Sequence, residues 1–197
     1  MRMRLVAALL LVAGLAAGLG AGVTGTTHAS GPARPGKPWN EIFLPFGHGT
    51  GTTVCVDAPG GGAPGARLRL YRCHGYAPDG AAQRWAFSCA GRSGCAAGRR
   101  FYEISNPDSG LCIGFPGGGA PVSGARLVRA RCDQAPAWQL VPQSTDGTDP
   151  RVALETSGAG GPALCMAAAD LSHGGMTPLV ALPCDGFQDA GQILELG

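Results

Sequence analysis

Three pairs of cysteines set at regular intervals, six of the eight present, constrain this chain more than any other feature. Cys55 and Cys73 are 18 residues apart, Cys112 and Cys132 are 20 apart, and Cys165 and Cys184 are 19 apart. The first members of these pairs follow one another at 57 and then 53 residues. A near-constant period of that size is the mark of one structural unit used three times. Such a unit cannot bury its apolar face alone, so the three copies are expected to share a core.

Other residues repeat in step. PGGGAP occurs at Pro59–Pro64 and again at Pro116–Pro121, and GARL at Gly65–Leu68 and Gly124–Leu127. A short apolar run precedes each first cysteine, at Glu41–Phe46, Phe101–Ser105 and Val152–Thr156. Another follows each second cysteine, at Gln83–Phe87, Trp138–Val141 and Gln192–Leu196. Each unit therefore reads as four short strands joined by Gly/Pro-rich turns, over about 41–88, 99–142 and 150–197. No segment after the amino-terminal run keeps a helical period over a dozen residues.

The amino end reads as a secretory signal peptide spanning residues 1–29. Arg2 and Arg4 make a basic start, Leu5 to about Leu19 is apolar, and Thr27-His28-Ala29 offers small residues for cleavage before Ser30. The apolar run is short for a membrane span and interrupted by glycine. Residues 30–40 read as a flexible Pro/Gly-rich leader. The expectation is an extracellular protein with no stable membrane insertion.

Export makes disulfides the natural use of an even number of cysteines. The repeat selects Cys55–Cys73, Cys112–Cys132 and Cys165–Cys184, leaving Cys89 and Cys95 to pair locally. A structural zinc site is disfavoured because no C-x-x-C or C-x-x-H spacing is present. No spare thiol remains for a disulfide-linked dimer, so a monomer is expected.

Charged residues make up only 14% of the chain, and removing Arg2 and Arg4 leaves 13 acids against an equal number of bases. A near-neutral chain argues against nucleic acid or an anionic membrane as the main partner. The 34 glycines and 16 prolines punctuate regular apolar runs and cysteines, so they are read as turns.

Three stretches of the first repeat carry a resemblance to a known family. They are Cys55-Val56-Asp57, Gly65 through Cys73 (GARLRLYRC), and Gln83-Arg84-Trp85. Together they resemble the ricin B-type lectins, or family 13 carbohydrate-binding modules, whose signature is Gln-x-Trp. The second repeat has Pro136-Ala137-Trp138 at that place, and the third keeps Gln192 but has Leu194 for Trp. The resemblance implies an all-β fold, a β-trefoil of three pseudo-symmetric repeats, each with an internal disulfide. Trp85, Trp138 and Leu194 are expected in its core.

A site can be derived without the family. Side chains alternate faces along a strand. If Cys55 lies opposite Cys73, Asp57 falls near Tyr71 on the outer face, while Val56, Leu68 and Leu70 point inward. A carboxylate beside an aromatic ring suits a sugar, whose C–H face packs on the ring and whose hydroxyls donate to the carboxylate. The resemblance implies the same roles for Asp57, Tyr71 and Gln83. Two positions depart from it: Arg69 stands where a glutamine is common, and Ala82 where an asparagine normally binds a hydroxyl. Arg69 could take over sugar binding, or could pair with Asp57 and close the site. His74, Tyr76 and Asp79 are possible substitutes. The counterparts in the other repeats are Gly114 with Ala130 and Ala167 with Leu182, which leaves both without a site. Asp170, His173, Asp185 and Asp189 near the third repeat read as solvated loop residues.

No catalytic domain is expected. A glycosidase needs two carboxylates flanking a cleft, and no pair stands out. His48, His74 and His173 form no triad or metal pattern, and no cofactor is implied. The PGGGAP loops lack the Lys-Ser/Thr of a phosphate cradle. Two functions follow. The first is a stand-alone lectin-like module binding a galactose-, xylose- or arabinose-type glycan or glycoconjugate through the first repeat. The second is a trefoil scaffold that has lost its sugar sites and recognises a secreted or surface protein, for instance as a protease inhibitor. An open pocket beside Tyr71 favours the first, and an Arg69–Asp57 bridge the second.

Overall fold

The short apolar runs and their Gly/Pro turns become twelve strands. They are β1 (Ile42–Leu44), β2 (Val54–Asp57), β3 (Arg69–Arg72), β4 (Ala86–Cys89), β5 (Phe101–Asn106) and β6 (Leu111–Gly114). There follow β7 (Val128–Ala130), β8 (Trp138–Pro142), β9 (Arg151–Ser157), β10 (Ala163–Ala168), β11 (Leu179–Pro183) and β12 (Leu194–Leu196). The computed structural model describes residues 39–44, 53–60, 62–74, 78–90, 101–143, 151–157, 161–171, 176–184, 190–192 and 194–197. The expected signal peptide, most of the leader and Cys95 lie outside the described residues, as do His48, Tyr76, His173, Asp185 and Asp189.

Six strands close a ring. β4 pairs with β5, β5 with β8, β8 with β9, β9 with β12 and β12 with β1, all antiparallel. Asn40 and Trp85 complete it by exchanging N–H···O bonds of 2.7 and 2.8 Å. Closure removes the free edges that an open sheet would present. The hairpins β2–β3, β6–β7 and β10–β11 form the second layer. They are tied to one another through the isolated pairs Arg67↔Val128, Arg126↔Val180 and Arg69↔Pro178. This is an all-β, three-fold pseudo-symmetric trefoil with one long disulfide in each repeat: Cys55–Cys73, Cys112–Cys132 and Cys165–Cys184.

The core follows the three-fold relation. Trp85, Trp138 and Leu194 are wholly buried, among Val56, Ile113, Met166, Leu70 and Leu154. Each indole N–H must find an acceptor when buried. Trp85 donates to the Val56 carbonyl at 2.9 Å, and Trp138 donates to the equivalent Ile113 carbonyl at 3.1 Å. Leu194 fills the third position without a donor.

Two local expectations need correction. Gln83 and Gln192 do not begin strands; they end short 3₁₀ segments, Pro78–Gln83 and Ala190–Gln192. The β2–β3 register is also shifted by two residues. Cys55 faces Tyr71 and Asp57 faces Arg69, with Cys73 one residue beyond β3. A two-residue shift preserves which side chains share a face. Val56, Leu68 and Leu70 therefore still point into the core.

The hairpin turns expose one strained position. Gly65 and Gly124 both adopt positive φ, at 89° and 80°, and Met176 occupies the matching place in the third repeat with φ 72°. Its amide donates to the Leu70 carbonyl, as that of Gly65 does to Arg129. The side chain is 65% exposed, so packing gives little in return for the left-handed backbone. Met176→Gly is expected to stabilise the protein by about 1 kcal/mol, after allowing for the added freedom of the unfolded chain. Equilibrium urea unfolding checks this; a loss of stability would show that the Met side chain makes a compensating contact.

Candidate functional site

On the outer face of the first repeat, strand alternation brings Asp57, Arg69 and Tyr71 together, and the 3₁₀ segment delivers Gln83 from the side. Asp57 is 5% exposed. Its Oδ2 accepts a hydrogen bond from Arg69 Nε at 2.9 Å, which is also an ion pair. Its Oδ1 accepts a longer bond of 3.4 Å from Gln83 Nε2. Both carboxylate oxygens are thus engaged within the protein.

Gln83 is fully buried and works as a bracket. Its Nε2 also donates to the Arg72 carbonyl at 3.0 Å, and its Oε1 accepts the His74 amide at 2.8 Å. These bonds fix the chain on either side of Cys73 against the segment leading to Trp85. Gln192 repeats one of them in the third repeat, donating to the Pro183 carbonyl at 3.0 Å.

Tyr71 is half-buried and its ring is already in contact with two groups. The Arg69 guanidinium carbon lies 4.7 Å from the ring centroid, and the His74 ring stacks at 5.4 Å and 25°. A pyranose stacking on this ring competes with those contacts. Arg69 therefore binds to the carboxylate and the aromatic at once, which is the closed arrangement foreseen as one alternative. Its side chain remains 33% exposed. Only Nε is spent on Asp57, and the two terminal Nη groups make no hydrogen bond to a described residue.

Arg129, which was not among the residues expected here, acts on Asp57 electrostatically. It is 3% exposed and donates through Nη2 to the carbonyls of Pro59 and Gly60, in the first PGGGAP loop. Its Nε is buried without a partner. Burial pushes its pKa down, and the nearby Asp57 carboxylate pulls it back up. Arg129 stands three residues before Cys132, the place of Leu70 before Cys73 and Ala181 before Cys184. A charge at a position that is apolar in the other two repeats was the available signal.

In the other repeats small or apolar residues stand at the places of Asp57, Arg69 and Tyr71. Gly114 sits where Asp57 would, and a Cβ there would meet the Ala130 Cβ at 2.7 Å. The counterparts of Arg69 are Val128 and Val180, and those of Tyr71 are Ala130 and Leu182, facing Cys112 and Cys165. Near the second, a cleft of ≈ 80 Å³ is lined by residues including Phe115, Gly118, Val128, Ala130 and Gln134. Ligand pockets for small molecules are commonly several times larger.

One group of potential metal ligands occurs among the described residues: Glu103, Cys112 and Cys132, with ligand atoms within 4.8 Å of one another. The two sulfurs share a disulfide, so neither offers the thiolate that a metal needs. No helix among the described residues is long and apolar enough to cross a membrane.

No protein-family model matches the chain, and no curated protein does. Solved structures do. A designed three-fold symmetric protein, ThreeFoil, superimposes with a TM-score of 0.61 at 15% identity, covering 81% of this chain and 98% of that one. A ricin B-like lectin from Macrolepiota procera, solved with lactose, gives 0.56 at 14% identity over 80% and 93%. The Rhizoctonia solani agglutinin gives 0.56 at 17% over 80% and 94%. Likeness at these identities establishes the shared trefoil fold.

Proposed function

We propose that this protein is a non-catalytic extracellular recognition module that binds carbohydrate at the first repeat. The observation that carries this reading is the asymmetry of the three repeats. Asp57, Arg69, Tyr71, His74 and Gln83 converge in the first, whereas the places of Asp57, Arg69 and Tyr71 are held by Gly114, Val128 and Ala130 in the second and by Ala167, Val180 and Leu182 in the third. The trefoil found in the Macrolepiota lectin and the Rhizoctonia agglutinin adds support at the level of fold. In this reading Tyr71 and the outer edge of Arg69 make the contacts, while Asp57 and Gln83 hold them in place. A single site gives micromolar to millimolar affinity, with no avidity from the other repeats.

A second reading has an observation of its own. The Arg69–Asp57 bridge occupies the carboxylate that a neutral sugar would use, which favours a scaffold that recognises a secreted or surface protein. A glycan and polysaccharide screen of the oxidised protein separates the two, with Tyr71→Ala beside it. The glycan reading expects binding that falls about tenfold or more in the variant, from loss of the aromatic contact. Folded protein that binds no glycan transfers the function to the second reading.

A further inference from the structure

The first-repeat site has the wrong charge for a ligand that only donates hydrogen bonds. Asp57 is buried and each of its oxygens already accepts a bond, from Arg69 and from Gln83, so little of it is open to a ligand. What faces solvent is cationic. Arg69 keeps two Nη groups that bond no described residue, on a one-third exposed side chain. Arg67 is exposed two residues earlier, on the same face by strand alternation. On this face of the hairpin the two arginines, Arg67 and Arg69, are matched by a single acid, Asp57. The cation is also particular to this repeat, since Val128 and Val180 stand at its equivalents.

From these facts we infer that the saccharide recognised at the first repeat carries an anionic group, a carboxylate or a sulfate, held by the outer edge of Arg69. The inference rests on the glycan-binding reading above and names its ligand class. Arginine suits the task because its planar fork matches the spacing of two oxyanion oxygens. Asp57 and the Tyr71 ring fix the plane of the guanidinium, so little side-chain freedom is lost on binding. Arg67 adds long-range attraction that salt screens.

The test uses oligosaccharides that differ in one group: a neutral galactose- or xylose-type parent, its hexuronate form and its sulfated form. Each is titrated by calorimetry against the full oxidised chain and the variants Arg69→Gln and Arg69→Lys. At low salt at least one acidic form should bind about tenfold or more tighter than the neutral parent. The carboxylate and sulfate arms show which oxyanion the site takes. Arg69→Gln should erase the preference, and by freeing Asp57 should raise the affinity for the neutral parent. Arg69→Lys keeps a cation beside Asp57 and guards against misfolding; it should retain only part of the preference. Equal binding of neutral and acidic forms overturns the inference and leaves the glycan reading standing. So does an acidic preference that survives Arg69→Gln, because the anion then sits elsewhere. Folded protein that binds none of the three overturns both.

Discussion

Trp85→Ala is expected to cost about 4–5 kcal/mol, the upper part of the range for large-to-small changes in a core. Three losses add. The indole is wholly buried, so its transfer energy is lost in full. The cavity cannot collapse easily, because Trp85 backbone bonds to Asn40 close the ring of strands. The Val56 carbonyl also loses the 2.9 Å bond from the indole N–H. Leu194 occupies the same three-fold position without such a bond, so Leu194→Ala should cost less. Thermal and urea melts followed by near-ultraviolet circular dichroism would rank the two. Equal costs would mean that the indole bond adds nothing measurable. A native domain is stable by only about 5–15 kcal/mol, so the Trp85 variant should lie near the limit of folding.

Removing the middle disulfide is expected to be nearly as severe. Cys112 and Cys132 close a loop of 20 residues, and freeing such a loop in the unfolded chain lowers stability by about 3 kcal/mol in the chain-entropy account. The paired variant Cys112→Ala/Cys132→Ala should therefore melt about 6–12 °C lower. The Cys55–Cys73 and Cys165–Cys184 loops have separations of 18 and 19 residues, so their removal should cost a similar amount. A much smaller effect for any one of them would indicate that its unfolded loop already holds residual structure. The first disulfide has an added consequence, since its loss frees the chain between Arg72 and His74 that Gln83 brackets.

The fold was legible because its determinants are local and repeated. Cysteine spacing, the GARL turns and the apolar positions at Trp85, Trp138 and Leu194 each occur in register, so one reading of a repeat tested the others. The site was less legible because it depends on register and depth. Placing Cys55 opposite Cys73 assumed that bonded cysteines face each other, whereas Cys73 lies past the strand and Arg69 takes the place beside Asp57. The correct face assignment survived, because the error was two residues and the strand period is two. Whether Arg69 would bind a ligand or close on Asp57 could not be read from residue types alone; the 2.9 Å bridge is a matter of geometry. Arg129 was missed for a different reason. Its signal was a cation three residues before Cys132, where Leu70 and Ala181 are apolar, and a single charged residue in a strand gives no sign of its burial.

The pairing of β1 with β12 bears on the order in which this chain can assemble. Ile42 lies against Leu196, and Glu41 exchanges backbone hydrogen bonds of 3.1 and 3.0 Å with Gly197. The contact joins segments 156 residues apart, Glu41 and Gly197, whereas each long disulfide spans 20 residues or fewer. Local bonds can form while synthesis is still under way, but segments so distant in sequence meet late and slowly. Oxidation can therefore run ahead of ring closure, repeat by repeat as the chain emerges. The barrel itself waits for the last strand to be made.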